Sequence, residues 1–294
     1  MGIKRKVGER FVNAFPRISR RCLELSASAR LPRLLYEGCP ESVRKDLFRD
    51  GMRQFNAPFG LYAPLEIVED LREFEPVTQK TFHEFIKPGM TLLDVGANIG
   101  YYSLLAGKLV GPSGRVHAVE PCAKNLTFLE RNIHLSKLQN ITVHRYAAGE
   151  KERRRKFYVT DISVDHGFYP HPYAKTVQIT EVEEKPVDNF VSLPIHIAKI
   201  DVEGGEIEVL NGMTSILNSD QLASLIVEWS PDCMRNAGHD PADLPAHLRN
   251  LGFKRIDVLD DLGKTITSTE SVLQKMHLGQ VPKFWCSNLC ARRK

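Results

Sequence analysis

An acidic residue followed by spaced glycines, where a strand hands over to a helix, is an arrangement that holds ligands, and this chain carries one at Asp94-Val-Gly-Ala-Asn-Ile-Gly100. Gly96 permits a tight turn with unusual dihedrals, Gly100 lets the helix start pack closely, and the missing side chains leave backbone N–H groups open to a ligand. Ala97, Asn98 and Tyr101 belong to the same turn. A nucleotide-like ligand is implied. The dinucleotide fingerprint would place glycines at 96, 98 and 101, whereas Asn98 and Tyr101 occupy the last two positions. A carboxylate at the strand end would repel a pyrophosphate and attract a cation, so NAD is disfavoured. S-adenosylmethionine, which carries a free ammonium group, is the expected ligand.

Two further acidic positions accompany that turn. Glu120 ends the next predicted strand, 24 residues after Gly96, where a carboxylate accepts hydrogen bonds from two vicinal hydroxyls of a ribose. The competing role is a cap on the helix that begins near Ala123. Lys199-Ile-Asp-Val-Glu-Gly-Gly-Glu206 places Asp201 and Glu203 at the carboxyl end of a fourth strand, beside the crevice where open α/β sheets bind ligands. Glu206 falls in a first helical turn, where it complements the macrodipole and reads as structural. Glu228, in Val-Glu-Trp-Ser-Pro, is a weaker crevice candidate, with capping or a core hydrogen bond as its alternative.

Other chemistries fail on the residues. His83-Glu-Phe-Ile-Lys87 lacks the second histidine of a zinc protease, Gly263-Lys-Thr265 lacks the earlier glycine of a phosphate loop, and no Gly-x-Ser-x-Gly elbow occurs. His166 and His171 stand too far from other ligand types to argue a metal, and a solvated loop is expected there. No metal is expected.

The elements that must position these groups are legible as alternation. Thr91–Val95, Arg115–Glu120, Ile141–Tyr146, Ile197–Val202 and Leu225–Glu228 read as strands, with helices over Tyr101–Val110 and Ala123–Leu135 and a helical stripe at Ile207, Leu210, Met213 and Leu217. Lys254–Leu259 and Lys283–Leu289 read as two more strands joined by a long polar loop without a strong helix. A mostly parallel α/β sheet closed by an antiparallel edge pair is predicted. The segment 147–196 is too long for a plain connection. It holds the basic run Lys151–Lys156 and an aromatic loop, Asp161–Tyr173, of the kind that forms lids.

Composition narrows the class. A chain of 294 residues, 42% hydrophobic and 26% charged, can bury a core, which excludes disorder as the default. No apolar run is long enough to span a bilayer and no secretory signal is evident, so an aqueous, cytoplasmic setting with six reduced cysteines is expected. Lys4, Arg5, Lys6, Arg10, Arg17, Arg20, Arg21 and Arg30 against Glu9 and Glu24 give residues 1–30 a net +6, while the whole chain carries only +4. With an apolar stripe from Ile3 to Leu25, this leader is a candidate peripheral membrane or protein contact, although Pro16 interrupts it and packing on the body is the plainer reading. The modest overall charge argues against nucleic acid as a partner.

At its three motifs the chain resembles the FkbM family of S-adenosylmethionine-dependent methyltransferases, from about Lys87 to Ala291. The likeness rests on Lys87-Pro-Gly89 leading into the glycine turn, on Gly114-Arg-Val-His-Ala-Val-Glu-Pro121, and on Lys199 to Glu206 with Leu210-Asn-Gly212 after it. What the resemblance implies is a class I methyltransferase (Rossmann-like) fold; residues 1 to about 60 lie outside it, and with the charge and pattern above the chain reads as a basic, mainly helical extension over 1–75 followed by the methyltransferase domain over 76–294 with an insert at about 147–196. Asp94, Gly96, Ala97, Asn98, Gly100, Tyr101, Glu120 and Pro121 would contact the cofactor. Asp201 and Glu203 would be catalytic, taking the acceptor's proton or holding a hydroxyl or the sulfonium side of the cofactor. Methylation of an oxygen on a sugar-like or secondary-metabolite acceptor, a small molecule or glycan, is the implied activity. A nucleoside-binding regulator that kept the pocket without catalysis is the alternative.

Overall fold

The computed structural model describes residues 52–55, 61–64, 74–162, 165–192, 194–282 and 285–293. The chain divides into two compact units, 1–71 and 72–294. In the first, β1 (Met52–Phe55) and β2 (Leu61–Pro64) pair antiparallel, with Met52 opposite Pro64. The basic leader and its apolar stripe lie outside the described residues.

The second unit is built on an eight-stranded sheet. Its strands are β3 (Thr91–Val95), β4 (Arg115–Val119), β5 (Ile141–His144), β9 (Ile197–Ile200), β10 (Ser224–Trp229), β11 (Arg255–Asp260), β12 (Thr265–Ser268) and β13 (Ser287–Arg292), in the order β12-β11-β13-β10-β9-β3-β4-β5. The five from β10 to β5 run parallel, and β13 enters antiparallel between β10 and β11. The order turns outward in both directions from the β3–β9 boundary, which is where a parallel sheet opens a crevice at its carboxyl edge. Every residue of β3 and β9 is buried, as strands covered by helices on both faces must be.

Helices α1 (Pro76–Phe85), α2 (Tyr101–Val110) and α3 (Ala123–Ser136) precede the insert; α4 (Glu206–Asn211), α5 (Thr214–Leu217), α6 (Pro231–Asn236), α7 (Asp243–Asn250) and α8 (Thr269–His277) follow it. On one face Leu93, Ile200, Val227 and Trp229 pack with Leu210, Leu244 and Leu248; on the other, Ala97 and Ala118 meet Leu126 and Leu129. Each such aliphatic side chain contributes about 1.5–3 kcal/mol on full burial. The stripe from Ile207 to Leu217 spans two helices, because a side chain at Gly212 would come within 1.9 Å of the Gly149 carbonyl oxygen and the chain turns there.

The antiparallel edge differs from the expected plain pair. The stretch read as a polar loop contains β12 and α8, and the last strand starts at Ser287 rather than Lys283. Helix α8 was hidden by its sparse apolar content: only Thr269 and Val272 are buried, and the start is marked by the Ser268 hydroxyl accepting from the Ser271 N–H.

The insert forms a separate three-stranded sheet of β6 (Ala147–Ala148), β8 (Thr176–Lys185) and β7 (Arg153–Thr160). Its basic run is not a free cationic face. Arg153 pairs with Glu184 at 2.7 Å, Arg154 with Glu181 at 3.4 Å and Arg155 with Glu208 at 2.7 Å, so β7 spends its charge on acids of β8 and α4. Among the described residues no helix is long and apolar enough to cross a membrane.

Candidate functional site

At the carboxyl end of β3 the backbone turns through Gly96 at φ 82°, Asn98 at 51° and Gly100 at 96°. The amides of Gly96 and Ala97 both reach the Val119 carbonyl, at 2.9 and 3.0 Å, which ties the turn to β4. Gly100 is needed because a side chain there would stand 2.7 Å from Leu129 of α3. Gly96 makes the tight turn expected of it and serves a second purpose as well. A Cβ at this position would lie 1.7 Å from the Asp201 carbonyl oxygen, so the neighbouring strand end, not a ligand, fills the freed space.

Glu120 is buried and does two jobs at once. Its Oε2 accepts the Asn98 N–H at 2.9 Å and its Oε1 accepts the Cys122 N–H at 2.7 Å, so it braces the glycine turn and the entrance to α3. Burial pushes its carboxyl up to about 7, against the lowering effect of those two N–H groups. The Asn125 side chain is a third donor, so the carboxylate keeps one lone pair for a hydroxyl. Pro121 follows half-buried, and Tyr101, buried at the start of α2, packs edge-on against Phe74.

Asp94 faces inward. Its Oδ2 accepts from the Ser103 hydroxyl at 2.5 Å, and burial raises its pKa against the opposing pull of Lys199. Lys199 is the centre of this layer: 2% exposed, it bonds Asp201 Oδ2 at 2.5 Å and sits 4.8 Å from the centre of the Tyr102 ring. The Tyr102 hydroxyl in turn donates to Glu75 at 2.5 Å, and burial pushes Glu75 up to about 7. Lys199 and Glu75 were missed as site members. A lysine inside Ile-Ala-Lys-Ile was the available signal, since a charge on a buried strand demands an acidic partner.

Beyond β9 the chain passes Asp201 and reaches Glu203 at φ 59°. Glu206 folds this turn by accepting the Val202 and Gly204 amides, both at 3.1 Å, which confirms its structural part. Glu203 Oε2 accepts from the Cys233 thiol at 3.3 Å. Oxygens of Asp201, Glu203 and Glu228 gather within 4.8 Å of one another. Burial, with the neighbouring carboxylates, lifts Glu203 and Glu228 well above the ordinary carboxylate range. One oxygen of Glu228, Oε2, is sealed and accepts no hydrogen bond among the described residues.

The insert reaches this cluster, contrary to the solvated loop expected for its histidines. His166 is 7% exposed, and His171 lies with Nε2 3.7 Å from Glu203 Oε2 while its Nδ1 accepts the Ala174 N–H at 3.0 Å. The loop is tied down by the Tyr169 hydroxyl on Glu208 at 3.1 Å, by Arg155 stacked 4.0 Å over Phe168, and by Tyr173 bonding Asp232 of α6. The structure thus forms two groups, Glu120 with the glycine turn and Asp201, Glu203 and Glu228 under His171. They meet where the Gly96 and Asp201 backbones touch.

The model of the methyltransferase FkbM domain matches residues 94–255, more than half of the chain. "Methyltransferase 1" of Beauveria bassiana is 27% identical over 147 residues, which cover 42% of this chain and 57% of that protein. A protein-L-isoaspartate O-methyltransferase of Methanothrix thermoacetophila is 29% identical over 131 residues, 43% and 53% of the two chains. The chain therefore spans about half the length of the curated relatives it matches. Among solved structures, a methyltransferase FkbM from Methylobacillus flagellatus aligns over 77% of this chain and 60% of its own with a TM-score of 0.45 and 16% identity. A parallel sheet with one antiparallel strand set into its edge, the glycine turn and the matched family model agree: this chain has the class I methyltransferase fold and belongs to the methyltransferase FkbM domain family.

Proposed function

We propose that the chain binds S-adenosylmethionine at the Glu120 group and methylates a hydroxyl oxygen of a sugar-like or natural-product acceptor held at the Asp201–Glu203 group. The observation that carries the cofactor reading is Glu120, buried at the end of β4 with one oxygen on the glycine turn, the other on the entrance to α3, and a lone pair left for a ribose hydroxyl. The cofactor supplies an activated methyl group. The residues of this chain supply position, exclusion of water by the insert loop, and a carboxylate for the proton an acceptor hydroxyl must lose. His171 beside Glu203, with Tyr173 packed edge-on against its ring, supports a polyhydroxylated acceptor, since aromatic faces cover apolar sugar surface while polar groups meet hydroxyls.

Calorimetric titration with S-adenosylmethionine tests the first half. Incubation with pools of hydroxylated acceptors, read by mass gain of one methyl group and release of S-adenosylhomocysteine, tests the second. A methylated amine or nucleobase as sole product would overturn the oxygen assignment, and binding without turnover on any pool would favour a regulator.

The pH dependence follows from Glu120. Its folded pKa, about 7, exceeds the ordinary 4.5, so the proton's contribution to stability is complete below about 4.5 and is lost as the pH rises to about 7. The ionised form accepts ribose hydroxyls best. Cofactor affinity should therefore rise between pH 6 and pH 8, and Glu120→Gln should be flat over that range and weaker at pH 8 by about 1.5–3 kcal/mol. An unaltered profile in the variant would remove Glu120 from the cofactor site.

A further inference from the structure

We propose that the carboxylates of Asp201, Glu203 and Glu228 bind a hard divalent cation of the Mg2+ or Mn2+ class. Three carboxylates from two adjacent strand ends converge to within 4.8 Å, and Glu228 Oε2 is sealed from solvent without a hydrogen-bond donor among the described residues. An unpaired buried carboxylate oxygen is costly and is relieved by a proton or by a cation, and three carboxylates sharing one space suit a cation. The positive charge at hand is already committed: Lys199 bonds Asp201 Oδ2 at 2.5 Å and acts also on Glu75 and Asp94.

The other groups around the cluster orient the ligands. His171 accepts the Ala174 amide at Nδ1, which assigns the ring hydrogen to Nε2, the atom facing Glu203 Oε2 at 3.7 Å. The Cys233 thiol donates to the same oxygen at 3.3 Å. Both donors hold one side of the Glu203 carboxylate and leave Oε1 for the ion, while Lys199 does the same for Asp201 Oδ1. Outer donors that fix ligand carboxylates are characteristic of built metal sites. All-oxygen ligation selects Mg2+ or Mn2+ over thiophilic ions. Resting on the reading of this crevice as the acceptor site, the ion would polarise an acceptor hydroxyl and ease loss of its proton to a neighbouring carboxylate.

The test uses the full chain freed of metal by chelation and titrated with Mn2+, with the free ion followed by electron paramagnetic resonance. One Mn2+ should bind per chain and be displaced by Mg2+, and it should raise the melting temperature. Glu228→Gln should weaken Mn2+ at least ~10-fold and His171→Ala by ~10-fold, with their melting temperatures in chelator unchanged. Equal Mn2+ affinity in wild type and Glu228→Gln overturns the site, as does absence of binding. If Glu228→Gln does not fold, Glu203→Gln takes its place under the same criterion. Calorimetry with S-adenosylmethionine on the same samples separates the readings: Mn2+ bound without the cofactor overturns the cofactor proposal alone, and cofactor bound without Mn2+ overturns the cation alone.

Discussion

Gly96→Val is expected to lower the stability of the whole domain by about 2–6 kcal/mol, rather than simply to obstruct a pocket. About 1–3 kcal/mol comes from forcing a β-branched residue to φ 82°, and about 1–3 more from overpacking, because the new side chain is aimed at the Asp201 carbonyl oxygen 1.7 Å away. That oxygen belongs to a strand end pinned by its own amide on Val95 at 3.0 Å, so it cannot retreat without opening the sheet. Urea unfolding measures the loss. Gly111→Ala is the control: at φ 68°, ψ −174° its backbone is one that glycine alone adopts readily, but its added methyl meets open space, so only the conformational penalty of about 1–3 kcal/mol should appear. Equal losses at the two positions would show that the Asp201 contact is unimportant.

Lys199→Met should cost about 3–5 kcal/mol at neutral pH, the range for removing one partner from a buried ionic group. Methionine fills the space and leaves Asp201 without the ion pair that holds it at 2.5 Å, with Asp94 and Glu75 facing it across the same layer. The sign of the pH effect distinguishes this from a packing loss. Without the cation, the folded carboxyls bind protons more tightly than the unfolded ones, so the deficit should shrink as the pH falls from about 7 towards 5. Denaturant midpoints at the two pH values give the answer, and a deficit that ignores pH would mean that the lysine acts only through its aliphatic stem on Tyr102.

What the sequence showed of this architecture was what depends on near neighbours. Alternating apolar strands, the glycine turn and acids at strand ends are all written within ten or so residues, and the structure places Asp94, Glu120, Asp201 and Glu203 at strand ends as expected. What escaped depends on partners far along the chain. Lys199 reads as an oddity in an apolar strand until Glu75 and Asp94 are seen around it. His171 reads as a loop residue until the insert folds over Glu203, and the role of Cys233 depends on the same encounter. Helix α8 was overlooked for a different reason: it covers an edge strand with only one turn of apolar contact, too little to give a periodic signal. The basic run of β7 was legible as charge but not as paired charge, because its acids sit on another strand and on helix α4.

The contact between the α-carbon of Gly96 and the carbonyl of Asp201 also bears on how such a domain can be redesigned. The glycine bend and the acidic bend are laid against each other there like adjoining courses of brick, with no side chain as mortar. Exchanging the acidic segment for that of another family member would carry its backbone path into the glycine bend. A graft that keeps both bends and exchanges only the insert, whose own three-stranded sheet lies outside the main one, would leave this seam undisturbed.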